Sequence, residues 1–418
     1  MDNKEATLQL GTQPVGKLLL QYAMPAIVAM MAASLYNIVD SVFIGQRVGP
    51  MAISGLAITF PFMNLASAFG AAVGVGASTL ISVKLGQKDY KTAENILGNT
   101  VSLNLIIGIG FSIVSLLFLN PILRFFGASE ATLPYARDYM LIILGGNVFS
   151  HMYFGMNAVL RAASKPRQAM YATIFTVAMN TLLDYIFIVE FGWGIQGAAY
   201  ATILAQVMAL IWQLHIFSNK KELLHFQRGT YRLRKSLVRN IIGIGISPFA
   251  MNTCACMVVI FINQQLVRYG SDYDVGAYGI ANKVSFVFIM FVMGINQGMQ
   301  PIVGYNYGAQ QLMRMIRVVK LSIVAATAVV FTGWLIGMFA PYYCARAFTK
   351  DPTLIRLGMK AIRLSMIMYP VIGSQMVTAF FFQSIGKVKI SIFLSLSRQL
   401  IFLLPALIVM PMWFGVNG

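Results

Sequence analysis

Eleven apolar runs alternate with short polar segments along the chain, at about 17–44, 52–83, 96–120, 138–160, 168–190, 196–217, 240–267, 275–307, 318–340, 361–385 and 390–412. A helix needs roughly 20 apolar residues to cross a bilayer, so each run reads as one spanning helix. Several are longer than that, which implies tilt or extension into the headgroups rather than extra spans. Prolines at 25, 61, 248, 301, 370 and 405 fall inside runs and read as kinks; Pro25 could bend the first span. Gly-x-x-x-Gly pairs at Gly70–Gly74, Gly294–Gly298, Gly304–Gly308 and Gly333–Gly337 read as close helix packing.

The pattern repeats. An offset of 222 residues carries Gly76 onto Gly298, Gly86 onto Gly308, and FFGASEATLPYARDYM onto AFTKDPTLIRLGMKAI. Six spans per copy is an even number, so the copies point the same way through the membrane. The expected fold is all-α and integral to the membrane, with two parallel pseudo-symmetric six-helix repeats, a plan typical of alternating-access transporters. The expected division is an N-lobe at 1–217, a basic linker at 218–239 and a C-lobe at 240–418. Eleven spans are present, and the offset carries Thr202 to about position 424, so the twelfth is expected beyond Gly418.

Composition supports the membrane reading. The 418 residues are 58% hydrophobic and 11% charged, against about 45–50% and 25% for a soluble domain. The net charge of +18 suggests a nucleic-acid binder until the positions are mapped. With the N-terminus inside, twenty Lys and Arg lie in inner segments and seven in outer ones. That is a topological bias rather than a nucleic-acid face, and it sets the N-terminus in the cytoplasm. Cys254, Cys256 and Cys344 offer no disulfide framework or zinc spacing, and His151, His215 and His225 are scattered. The polar, partly acidic N-terminus is no signal peptide, and no P-loop is present.

Eleven of the thirteen acidic residues lie in the N-terminal tail, in loops or at run ends, and only Asp40 and Asp184 sit in the interior of apolar runs. A carboxylate in the bilayer core costs about 2.5–3.5 kcal/mol on insertion scales, so such residues usually face an internal cavity and work there. A purely structural polar pair is the alternative. Tyr36, Asn37 and Asp40 share a face of the first span; Asn180 and Asp184 are one turn apart, as are Thr202 and Gln206. This hard-oxygen set suits Na⁺, or protons on buried carboxyls. At the matching positions the second repeat has Asn263 or its neighbour, and Ala406, so coupling chemistry is expected in the first half. Lys283 and Arg398 are cations inside second-half spans, lining a cavity or snorkelling.

YNIVDSVFIGQRVG, PFMNLASAFGAAVGVGASTLISVKLGQKD, LRAASKPRQAM and NTLLDYIFI followed by GWGIQGAAYATILAQ resemble the multidrug and toxic compound extrusion family, in its bacterial DinF-like and MepA-like branch. The resemblance implies two lobes in a V around a central cavity, exporting organic cations against inward Na⁺ or H⁺. Carried over by motif, the resemblance implies that Asp40, Asn180, Asp184 and Thr202 form the cation-coupling site, for H⁺ or for Na⁺. Tyr36, Asn37 and Gln206 are expected to support it, and Pro25 to act as a hinge. The chain is expected to work as a monomer in the bacterial inner membrane, with no cofactor beyond the coupling ion and no nucleic-acid partner. A lipid-linked saccharide flippase is the alternative, but its cavity should carry cations where this first half carries carboxylates. An intramembrane enzyme would need a nucleophile–base or metal set, and none is spaced for one.

Overall fold

The computed structural model describes residues 3–48 and 50–415, and every regular element among them is a helix. The short α1 (Asn3–Thr12) precedes α2 (Val15–Arg47), α3 (Pro50–Gly86), α4 (Tyr90–Leu117) and the short α5 (Leu119–Phe125). Then come α6 (Leu133–Ala162), α7 (Pro166–Asp184) with a π-helical turn at Tyr185–Glu190, and α8 (Gly194–Ser218). Residues 219–234 lead to a second series: α9 (Lys235–Tyr269), α10 (Asp272–Gly308), α11 (Leu312–Phe339) and the short α12 (Pro341–Arg346). It continues with α13 (Pro352–Met366), α14 (Tyr369–Ser384), α15 (Val388–Leu396), a π-helical stretch at Ser397–Leu403, and α16 (Leu404–Phe414). Shifting α3 and α4 by 222 residues lands on the bounds of α10 and α11, so the repeat seen in the glycines is a repeat of whole helices.

Among the described residues, nine helices are long and apolar enough to cross a membrane. The number is ten when α13 and α14, bent by 48° at their break, count as one. The expected eleven is reached only by adding α6, whose buried Asn147, His151 and Asn157 make it more polar. The run expected at 361–385 is not one straight helix. It starts at Pro352 and breaks just before Pro370, whose ring cannot continue a helical ladder.

The helices are apolar outside, and the interior combines a large apolar core with buried polar side chains. In α4, Leu105, Ile106, Ile109 and Ile113 are exposed, while Asn95, Asn99, Asn104 and Ser112 are buried. Lipid solvates the first set, and the second must find partners inside the protein.

The halves meet along α2, α3, α9 and α10. α2 packs on α7 of its own half and on α10 of the other, and α9 packs on α3. Glycine permits this approach. A Cβ placed at Gly86 would lie 2.0 Å from the Tyr305 carbonyl oxygen, and one at Gly308 would lie 2.0 Å from that of Val83. Gly76 meets the Ile241 carbonyl oxygen at the same distance, and Gly294 and Gly298 press on Ile27 and Ala23 of α2. Gln300 donates to Thr79 Oγ1 at 2.7 Å and Ser78 Oγ at 3.1 Å across the same seam.

These contacts crowd toward the end of the molecule that carries the linker. There α1 lies against the second half: Asn306 Nδ2 donates to the Leu10 carbonyl at 3.0 Å, and Arg314 donates to the carbonyls of Leu10 and Gln13. The linker is clasped by the first half. Asn99 binds the carbonyls of Thr230 and Arg232 and accepts from the Arg234 N–H, and Lys165 pairs with Glu222 at 2.6 Å.

Candidate functional site

Asp184 is the last residue of α7, where regular helix gives way to the π-helical turn at Tyr185–Glu190. An inserted π turn interrupts the regular carbonyl ladder, and such turns recur at functional positions. Asn180 lies one turn earlier on the same face. Opposite them α2 brings Asp40, and α8 brings Thr202. All four are buried, Asp184 completely. The two carboxyls lie within electrostatic reach of each other. Asn180 Nδ2 faces Thr202 Oγ1 at 3.4 Å, a long hydrogen bond that ties α7 to α8.

The remaining oxygens define the chemistry. Among the described residues, Asp40 Oδ1, Asn180 Oδ1 and both carboxylate oxygens of Asp184 are buried without a hydrogen-bond partner. Buried polar groups are nearly always paired, and an isolated buried carboxylate is strongly unfavourable. Protons on the carboxyls, or a small hard cation among the oxygens, would satisfy them. The donor set fits either: two carboxyls, an amide oxygen and a hydroxyl suit Na⁺ by type, and nothing in the set is soft.

The sequence expected three further supporting residues. The side chains of Tyr36 and Asn37 lie outside the described residues. Gln206 shares its helix face with Thr202 but turns to α6, where its Oε1 accepts a short hydrogen bond from Ser150 Oγ. It ties α8 to α6 and is not brought to the carboxyls by any described bond. Pro25 sits inside α2, four turns before Asp40. Of the other singled-out residues, Asn263 has a side chain outside the described set. His151 is fully buried, with Nε2 2.8 Å from the Ala66 carbonyl oxygen. Lys283 is exposed, with its ammonium 5.8 Å from the centre of the Phe348 ring. The π-helical turn after Asp184 is the feature sequence reasoning missed, because the hydrophobic pattern runs through it unchanged.

The second half holds no carboxylate at the matching place. Ala406 stands at the Asp184 offset; Lys389 lies in the first turn of this pass, and the charged residue in its interior is Arg398, in the π-helical stretch.

Comparison with known proteins agrees with this architecture. The MatE family model matches twice, over residues 25–186 and 248–408, one match per repeat. The multidrug export protein MepA of Staphylococcus haemolyticus is 26% identical over 402 residues, covering 96% of this chain and 88% of that protein. MepA of Staphylococcus aureus strain N315 is 24% identical over 406 residues, covering 97% and 89%. Among solved structures, an outward-facing conformation of a multidrug resistance MATE family transporter superposes with a TM-score of 0.93. It is 22% identical and covers 99% of this chain and 92% of that one. With two buried carboxyls in one half, a doubled helical repeat and both repeats matched, the chain belongs to the MatE family of multi-pass membrane transporters.

Proposed function

We propose that the chain is a secondary antiporter that exports organic cations, drugs among them, in exchange for inward H⁺ or Na⁺. The observation that carries this reading is the set of unpartnered oxygens on Asp40, Asn180 and Asp184, sealed inside one half of a membrane protein. A ligand shifts a conformational equilibrium only if it binds the two states differently. Protonation or Na⁺ binding at Asp40 and Asp184, with Asn180 and Thr202 supplying neutral oxygens, changes the charge packed between α2, α7 and α8. That charge change biases the choice between outward- and inward-facing states. One pH unit of gradient is worth about 1.4 kcal/mol, and 100 mV about 2.3 kcal/mol per charge. One ion per cycle therefore supports a drug gradient of one to a few decades.

In this reading the linker end faces the cytoplasm of a bacterial cell and the protein acts as a monomer in the inner membrane. It performs no covalent chemistry. A flippase for anionic lipid-linked saccharides would want cations where this site has carboxyls. Transport in proteoliposomes, with H⁺ and Na⁺ gradients imposed separately, tests the proposal. Wild type should export a cationic dye under at least one gradient, and Asp184→Asn should bind the dye but not export it. Full gradient-driven export by both Asp40→Asn and Asp184→Asn would leave the acids as structural glue and overturn the reading.

A further inference from the structure

Arg398 has no carboxylate partner among the described residues, although it lies in the middle of a membrane pass. That pass begins at Val388, so Arg398 is ten residues in. At 1.5 Å per residue this is about 15 Å, half of a hydrocarbon core of about 30 Å. An arginine at that depth is costly, and intramembrane arginines face protein or a polar cavity and mark ligand or ion sites.

Its surroundings position it. Arg398 Nη1 donates to Gln375 Oε1 at 3.0 Å, and Gln375 Nε2 donates to the Leu394 carbonyl at 2.8 Å. Gln375 thus ties the guanidinium of the π-helical stretch to α14. Tyr369 of α14 and Cys254 of α9 lie within electrostatic reach of it, and Tyr278 of α10 is near Tyr369. The side chain is half-buried among neutral groups. One guanidinium N–H is committed to Gln375, and the rest form a fork suited to two oxygens of one planar anion.

We infer that Arg398, oriented by Gln375, is a second recognition site in the C-lobe that takes the carboxylate of zwitterionic substrates. The inference rests on the export reading only for the direction of transport. The two lobes then carry opposite charge: carboxyls between α2 and α7 in the first, a guanidinium between α9 and α14 in the second. A purely cationic substrate would not use the second site, and a zwitterion would.

Equilibrium binding of a zwitterionic quinolone acid and its methyl ester to the purified full chain tests this without a gradient. The ester keeps the shape and the amine but removes the anion. Wild type should prefer acid over ester by about tenfold, the worth of one charge-assisted hydrogen-bonded pair. Arg398→Gln should bind acid and ester equally, with the ester affinity unchanged. Arg398→Lys should keep part of the preference, and Gln375→Leu, which frees the guanidinium without removing charge, should weaken it. A wild-type acid-to-ester ratio near one, or an unchanged ratio in Arg398→Gln, would overturn the assignment. So would equal losses for both ligands, which mark a residue that only holds α14 to the π-helical stretch. Asp184→Asn should leave the ratio intact, so a failure of ion coupling and a failure of this site read out separately.

Discussion

At the scale of single residues, charge and burial together mark the site: many buried amides and hydroxyls lack a partner among the described residues, but only Asp40 and Asp184 add a carboxyl in the interior of a span. Asp40 and Asp184 stand out in the sequence because nothing else acidic lies in the interior of an apolar run. Helical spacing also puts Asn180 beside Asp184. The role of Gln206 was not legible, because one face of α8 borders both α6 and α7, and a face read from spacing does not say which neighbour a given turn meets. Outside the membrane, Asp89 caps α4, accepting from the Thr92 N–H at 3.1 Å and pairing with Lys84 at 3.3 Å. Partial burial raises its pKa, but the Thr92 bonds and Lys84 outweigh that and hold the carboxyl below its ordinary range. A lowered folded pKa means stability that is present above the unfolded value and lost as pH falls through the folded one. Asp89→Ala should therefore lower thermal stability at neutral pH by an amount typical of a lost cap, about 1 kcal/mol, and the gap to wild type should close in acid. Melting curves at several pH values check both the size and the sign.

At the scale of elements, each of the eleven expected runs falls on a long helix, a helix carrying a π-helical stretch or, for the tenth, a bent pair, and the departures have local causes. Pro370 breaks the tenth, and buried asparagines and a histidine keep α6 from looking apolar. Composition could not show that α1, part of a polar N-terminal stretch, crosses to the other half. Its anchor is the side chains of Asn306 and Arg314 on two backbone carbonyls, a contact that depends on the tertiary fold and leaves no periodic mark. Because α1 continues into α2 of the first half while the second half holds it, it acts as a latch on the linker end. Asn306→Leu combined with Arg314→Ala should loosen that end. In a background lacking the three native cysteines, a cysteine at Thr79, which is buried at the seam, should then label faster with a water-soluble maleimide. Unchanged labelling would mean that the glycine seam alone sets closure.

At the scale of the molecule, the doubled topology was legible because duplication leaves glycines in register, and backbone contacts tolerate little drift. If the linker end is cytoplasmic, cysteines introduced singly at Ser218 and Ser271, in the same cysteine-free background, should label from opposite faces of the membrane. Labelling of both from one face would overturn the single crossing between them, and labelling of Ser218 from outside would reverse the orientation. Gly308→Val would drive a side chain into the Val83 carbonyl. It should cost about 1–3 kcal/mol, read as a lower melting temperature or as a population displaced from the closed linker end. The reciprocity of that seam has a mechanical side. Where side chains interlock like gear teeth, two bodies must climb over each other to turn. Gly86 against Tyr305 and Gly308 against Val83 meet backbone to backbone instead, with the same pair of surfaces on either side of the pseudo-twofold axis. Such a joint is smooth and balanced, a bearing rather than a ratchet. In the antiport cycle proposed above, little of the small free energy of one ion would then go to unlocking side chains at this joint.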